Sequence, residues 1–386
     1  MNSFALRGAR IWDGLADHSV EGPVVVEEGR IAAADGASDS IDVSGCTILP
    51  GLIEGHAHLC FDATPGWRAT YDGDTPSRML LRMAANGRRM LHAGITTVRD
   101  LGAPTGLSIE LRDAINDGLA DGPRLLVAGA PVTTTGGHCW FMGGECDGEV
   151  GIRKNVREHV KAGTDWIKVM ATGGNMTPRT NTFAPQFTVP ELRALIEEAH
   201  RLHRRVAAHA HGVAGIKVAV EAGVDSIEHC SFTVPTGYAP DAAVIAEIAA
   251  KGILVSPTVS IGFRNWPDDG RKQQRGAVMK ALLNAGGRGG RSGRSRGRRC
   301  GSCSGLHGLE AQPVAAAAVL EECGVAFGVG HAQQVEQLGQ RALGVDAAVG
   351  RAALAVVAGR AVLLARLHFV RVREGPVHQR DLGSEQ

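Results

Sequence analysis

Two histidines, His56 and His58, close an apolar run that reads TILPGLIEGHAHL over 47–59. Ile48 and Leu49, then Pro50-Gly51, then Leu52 and Ile53 predict a strand entered through a turn and buried on both faces, as in a parallel sheet. On an extended segment, residues i and i+2 face the same way. Both imidazoles can therefore reach one divalent cation at the strand's C-terminal end. A pair of ordinary loop histidines would read the same, so the remaining strand ends decide.

Three further residues stand at the ends of short apolar runs: Lys168 in DWIKVMATGG, His209 in VAAHAHG and His229 in SIEHC. A lysine flanked by Ile167 and Val169 is costly as a buried cation. It is either half of a salt bridge at a barrel mouth or, beside a metal, a carbamate bridging two ions. His209 or His229 taken alone reads as a hydrogen-bonded core histidine. Taken together with His56 and His58, the five predict a metal centre on one rim.

Helical periodicity recurs over 77–93, 107–117, 149–162, 190–202 with Thr188 as cap, 214–222 and 239–250. Short apolar or β-branched runs lie between them, at 95–98 ahead of Arg99-Asp100, and at 124–128, 166–170, 206–210, 226–229 and 253–256. This alternation predicts a parallel α/β fold, and its length favours a closed (β/α)8 TIM-like barrel. An open doubly wound sheet is the alternative, but no glycine-rich phosphate loop follows the first strand. Ahead of the barrel, 4–11, 24–26 and 31–34 read as strands of a small antiparallel sheet with a hairpin at Glu28-Gly29. Such a sheet needs the barrel or strands from the far C-terminus to cover its apolar face.

Composition narrows the partners. The 386 residues suit a barrel with an appended small domain, and Lys+Arg of 41 against Asp+Glu of 40 leaves a net charge of +1. No whole-chain field then attracts nucleic acid or an anionic membrane. No stretch approaches the roughly 20 apolar residues of a membrane span, and the start, MNSFALRGAR, has no apolar signal core, so a soluble, cytoplasmic chain is expected. The eight cysteines are scattered and read as reduced thiols.

The segments LPGLIEGHAHL, GITTVRDLG, TGGH, DWIKVMATGG, VAAHAHG and SIEHCSF together resemble the amidohydrolase superfamily, in particular its imidazolonepropionase-like and prolidase-like metal-dependent hydrolases. The resemblance runs to about Asn284. It implies a (β/α)8 barrel over 51–340 with a small composite β-sandwich domain from 1–50 and 341–386. It also implies His56 and His58 on a more buried ion, His209 and His229 on an outer one, and a carboxylated Lys168 between them. Zinc fits this histidine-rich set, with manganese or cobalt open. The implied chemistry is cleavage of a C–N bond in a small amide, dipeptide (Xaa-Pro included) or cyclic amide by a metal-activated hydroxide. His138 in TTTGGHCWF faces the substrate in related enzymes, and His211 stands where relatives carry a tyrosine. Each is expected either to bind a substrate carboxylate or oxyanion or to support a neighbour by a hydrogen bond. The 143–148 stretch GGECDG reads as a loop, not as a source of a catalytic acid.

The resemblance breaks where the eighth strand should end in an aspartate that serves as general base and acid. Asn284-Ala285 is followed by GGRGGRSGRSRGRRCGSCSGLHG, and no aspartate occurs between Asp269 and Asp346. A Gly/Arg/Ser run cannot be a buried strand, because its arginines lack matching acids and its glycines bury nothing. The 287–304 segment has the composition of a disordered basic stretch, either a reading-frame disruption or an insertion for RNA or an acidic partner. Cys300 and Cys303 with His307 lack a fourth zinc ligand. No catalytic acid or base is therefore assigned. Three functions follow: an active metal-dependent amidohydrolase, a metal-binding but impaired relative, or a basic-segment binding protein on a barrel scaffold. The expected partner is a small-molecule substrate, with homo-oligomers left open. At the C-terminal end, the Ala/Val/Leu/Arg stretch 352–370 departs from the family pattern, and 370–375 is the piece expected to supply a strand and turn.

Overall fold

The structure, a computed structural model, describes residues 3–13, 18–27, 30–32, 39–258, 267, 269–286, 353–358 and 361–366. These fall in two compact units. One takes in the described residues up to Leu52, His92–Gly94 and the 353–366 strands; the other takes in those of Ile53–Leu91 and Ile95–Ala317.

The larger unit alternates strands and helices. Its strands are β1 (Leu52–Ala57), β2 (Ile95–Asp100), β3 (Arg124–Val127), β4 (Trp166–Met170), β5 (Arg205–Gly212), β6 (Ser226–Val234) and β7 (Leu254–Ser256). Its helices are α1 (Trp67–Gly73), α2 (Pro76–His92), α3 (Thr105–Asn116), α4 (Gly148–Ala162), α5 (Val189–Arg201), α6 (Val213–Ala222), α7 (Ala242–Lys251) and α8 (Arg271–Gly286). Capping chemistry sets several boundaries. Thr188 and Glu191 form a reciprocal capping box on α5, with Pro190 in its first turn, and Asp241 accepts from the Ala243 and Val244 amides to open α7. The stripe Leu192, Leu195, Ile196 and Ala199 on α5 packs into a cluster with Ile167, Val169, Val206 and Ala208 of β4 and β5.

β3 pairs in parallel with β2, and β1 lies on the other side of β2. β4, β5, β6 and β7 form a second parallel set in chain order. A single parallel bridge, Val132 to Val169, joins the segment after β3 to β4. Contacts cross between the sets: Arg99 on β2 reaches Ser226 and Glu228 on β6 and stacks 4.6 Å over the Trp166 ring on β4. The strands therefore curl around a shared interior. Among the described residues they do not close into a barrel, since β1 and β7 each have a partner on one side only. The 287–304 segment, with Cys300, Cys303 and His307, lies outside the described residues. No helix among the described residues is long and apolar enough to cross a membrane.

The smaller unit holds two sheets. Phe4–Arg7 lies between Val24–Glu27, antiparallel, and Asp39–Asp42, parallel, with Arg30–Ala32 beyond Val24–Glu27. Glu27 opposes Arg30 across the hairpin expected there, and Glu28-Gly29 itself lies outside the described residues. The one strand expected over 4–11 is two strands in different sheets. At Gly8, φ +85°, the chain turns from one sheet to the other, and a Cβ there would collide with the Ser44 hydroxyl. The second sheet runs Ala361–Arg366, Ala353–Ala358, Cys46–Pro50, Arg10–Ile11, Val20–Glu21. Its C-terminal strand pair comes from 353–366, upstream of the 370–375 piece, which lies outside the described residues. Leu6, Val24, Val26 and Ile48 are buried in this unit.

Candidate metal and hydrolytic site

Six imidazoles meet at the C-terminal ends of the strands. His56 lies in β1 and His58 just after it, His138 follows β3, His209 and His211 lie in β5, and His229 lies in β6. Ring centroids link them in a chain: His58 to His56 at 5.1 Å, His56 to His229 at 4.9 Å, His229 to His209 at 4.6 Å and His209 to His138 at 4.7 Å. His211 stacks on His229 at 4.5 Å.

Hydrogen bonds fix which nitrogens remain available. His56 Nδ1 lies 2.8 Å from a Glu228 carboxylate oxygen and His58 Nδ1 lies 3.0 Å from the Gly102 carbonyl. Carboxylate and carbonyl can only accept, so both Nδ1 atoms carry the proton and both Nε2 atoms carry a lone pair. Those two Nε2 atoms are 3.2 Å apart. Neither can donate to the other, so the arrangement is repulsive unless an electrophile is shared, and it fits a divalent cation. His209 donates from Nε2 to the Gly173 carbonyl at 3.2 Å, leaving Nδ1 as acceptor. His229 and His211 use Nδ1 on the Thr258 and Ser231 hydroxyls, at 2.6 and 2.7 Å. One ligand atom each from His209, His211 and His229 lies within 4.8 Å of the others. Burial lowers these imidazoles to about 4 for His56 and about 3 for His58 and His211, and well below the ordinary value for His209 and His229. All are neutral at pH 7, the form that ligates metals.

Lys168 lies in β4 opposite Ala207, is 1 % exposed, and its Nζ has no hydrogen-bond partner among the described residues. The barrel-mouth salt bridge weighed from sequence is absent among the described residues. Burial pushes the amine down to about 8, so a neutral, nucleophilic amine is within reach near physiological pH. His138 is buried; its Nδ1 lies 3.1 Å from the Thr177 hydroxyl, and burial lowers it to about 4. Thr177 also accepts from the Cys139 amide at 2.8 Å, and a hydroxyl has a second lone pair and a proton to offer, so it can pair with either tautomer of His138; where Thr177 donates to Nδ1, His138 Nε2 is the donor. That Nε2 faces Gly174, where any side chain would collide with it. In the 143–148 loop, Glu145 and Asp147 accept from the Gly136 and Thr135 amides. They tie the loop to the His138 segment and stay out of the imidazole cluster.

Sequence reasoning passed over Glu228, Arg99, Asp100 and Arg275. Glu228 is fully buried between His56 and Arg99, with Arg99 Nη2 at 2.9 Å. Burial alone would raise its carboxyl, but Arg99 and then the His56 hydrogen bond hold it well below the carboxylate range. Asp100 accepts from the Gly102 and Leu59 amides, fastening the turns after β2 and β1, and burial raises it to about 7. The backbone is left-handed at His229 (φ 68°), Cys230 (φ 41°), Phe232 (φ 52°) and Thr258 (φ 39°), strain that concentrates at the rim. An acid inside the apolar run 226–230 was the available signal for Glu228.

A profile of the Amidohydrolase family matches residues 47–346. Ochratoxinase from Aspergillus niger is 33 % identical over 246 residues, covering 55 % of this chain and 48 % of that protein, so the chain spans about half the length of this relative. Imidazolonepropionase from Streptomyces coelicolor is 26 % identical over 305 residues, covering 69 % of this chain and 71 % of that protein. Among solved structures, a prolidase complexed with N-methylphosphonate-L-proline superposes with a TM-score of 0.65 at 25 % identity, covering 95 % of this chain and 100 % of that one.

Proposed function

Because the chain belongs to the amidohydrolase family, whose fold is a TIM-like α/β barrel, we propose that it hydrolyses the C–N bond of a small amide. The substrate class is a dipeptide, an N-acyl amino acid or a cyclic amide. The observation that carries this reading is the 3.2 Å approach of His56 Nε2 and His58 Nε2 with both Nδ1 protons already committed elsewhere. On this reading His56 and His58 hold one divalent ion, His209 and His229 a second, and a carboxylated Lys168 joins the two sides, zinc being the ion that suits this donor set. His211 completes the triad on the outer side or meets the substrate.

A divalent ion held there supplies Lewis-acid polarisation of the scissile carbonyl and acidifies water toward neutrality. The chain's own residues do the rest. Glu228 and the Gly102 carbonyl keep His56 and His58 in the tautomer that presents Nε2. His138, held by Thr177, donates from Nε2 to the carbonyl oxygen as negative charge develops on it. Burial of the imidazole cluster excludes water and strengthens each of these contacts. In the same reading the chain is a (β/α)8 barrel whose eighth strand is disrupted at 287–304, with a composite β domain from 1–50 and 341–386.

Metal-loaded protein assayed against dipeptides, Xaa-Pro substrates, N-acyl amino acids and cyclic amides should cleave at least one class, and a chelator should abolish the activity. Folded, metal-loaded protein that cleaves none of them would overturn the reading. One observation favours a metal-binding but impaired enzyme instead: the absence of any aspartate between Asp269 and Asp346.

A further inference from the structure

Arg275, on α8, is a buried cation without a matching anion among the described residues. It is 4 % exposed. Its Nη2 donates to two backbone carbonyls, His229 at 2.9 Å and Pro257. Its Nη1 is buried with no hydrogen-bond partner among the described residues. Burial disfavours its charge, Cys230 and Tyr238 lie close enough to act on it, and that charge is felt at His211. An unpaired guanidinium removed from water is strongly disfavoured unless an anion completes it.

The two carbonyls locate the group. His229 belongs to the imidazole cluster, and Pro257 stands one residue beyond β7, next to Thr258, which bonds the His229 ring. Left-handed backbone at His229, Cys230 and Thr258 shapes this rim. A purely structural clasp on the two carbonyls needs only Nη2. The N–H groups of Nη1 remain, and a guanidinium edge is suited to a carboxylate.

We infer that Arg275 is the carboxylate subsite of this centre, and that its Nη1 receives the α-carboxylate of an amino acid on the amine side of the scissile bond. This rests on the hydrolytic reading above and narrows it: the leaving amine is an α-amino acid, so dipeptides and N-acyl amino acids are substrates in preference to cyclic or simple amides. One guanidinium balances a monoanion, which favours a carboxylate over a phosphate dianion.

The test is equilibrium binding to the full, zinc-loaded chain of L-phenylalanine and L-proline against their alcohols, L-phenylalaninol and L-prolinol, none of which carries an amide bond. At least one acid should bind about tenfold tighter than its alcohol or more, the strength of a charged hydrogen bond. Arg275→Met should erase that preference, and Arg275→Lys should keep part of it. Acid and alcohol binding alike, no acid binding at all, or a folded Arg275→Met protein that retains the preference would overturn the subsite. If Arg275→Met fails to fold, the wild-type comparison and Arg275→Lys decide: the full preference surviving in the Arg275→Lys protein counts against the subsite. The readout needs no turnover. A chain that binds the acid but hydrolyses nothing would sink the hydrolytic reading and leave the subsite standing; equal cleavage of N-acyl amino acids and N-acyl alkylamines would do the reverse.

Discussion

His56 Nδ1 and Glu228 Oε2 lie 2.8 Å apart although β1 and β6 are not neighbours in any sheet. The other Glu228 oxygen accepts from Arg99 at 2.9 Å and from the Ser226 hydroxyl at 2.8 Å. One carboxylate thus neutralises a partly buried guanidinium and sets the tautomer of a candidate ligand. Glu228→Leu should destabilise the fold, by up to about 3 kcal/mol, because it leaves the partly buried Arg99 without its carboxylate. Glu228→Gln keeps an acceptor for His56 and should cost less stability, yet weaken metal affinity about 10–100-fold. Chelator competition measures the second effect; wild-type affinity in a folded Glu228→Gln protein would refute the orienting role.

Metal content tests the centre directly. Protein grown with supplemented zinc or manganese should carry at least one divalent ion per chain. Lys168→Ala should lose the ion on the His209 and His229 side more than that on the His56 and His58 side, since the proposed carbamate joins the two. Equal loss of both would argue against bridging. In the metal-free protein Lys168→Met should be no less stable than wild type, because it removes a buried amine that has no hydrogen-bond partner among the described residues.

Gly174→Ala offers a test at the substrate side. The added methyl would collide with His138 Nε2, so the imidazole must shift from the place Thr177 gives it. Misplacing a positioning group by about 1 Å costs roughly 10²-fold in rate. The expected outcome is a loss in kcat/KM of about that size with metal content unchanged, matched by His138→Ala. Undiminished turnover in Gly174→Ala would remove His138 from the chemistry.

How far the site was legible depends on whether strand periodicity held. His56 with His58, and His209 with His211, share a face because i and i+2 do so on any strand. Glu228 and His229 are sequence neighbours and should face opposite ways; the left-handed φ of 68° at His229 breaks the alternation and turns both to the interior. Arg99 meets Glu228 across 129 positions, a pairing that no local pattern carries. The β/α rhythm was readable because each helix keeps an apolar stripe, as α5 does. The strand Asp39–Asp42 was not, because DSID shows no apolar alternation. Nor was the division of 4–11, since an isolated glycine in a strand reads as a bulge.

Acid sensitivity should centre on α4 and α5. Glu198, 3 % exposed at its side chain, accepts from Arg201 and from Arg157 at 2.7 Å, and these bonds lower its carboxyl from 4.5 to about 2. A depressed folded value means the unfolded chain takes up the proton first as pH falls. The stabilisation is therefore complete above pH 4.5, declines as pH drops below it, and is gone below about 2. Glu198→Gln should lower the melting temperature at neutral pH and flatten its decline across that window. Parallel melting curves for the two proteins between pH 4.5 and 2 would show that the interaction contributes nothing.

The last prediction concerns the missing acid. Without an aspartate after Asp269 and before Asp346, this chain lacks the carboxylate on which an eighth strand would end, to orient the attacking water and pass its proton to the departing nitrogen. General acid–base assistance is typically worth about 10²–10⁴-fold. An amine leaves poorly unless protonated, so the deficit should lie near the upper end for a peptide and be smaller for an activated ester. The edges of β1 and β7, open among the described residues, would add to it, because unpaired strands invite association. Replacing 287–304 with a strand bearing G-T-D-A-G should raise dipeptide turnover by that factor and reduce aggregation. If the unaltered protein, folded and metal-loaded, already matches the repaired one on a dipeptide panel, the general acid–base group resides elsewhere, and the buried Asp100, raised to about 7, is the first residue to substitute.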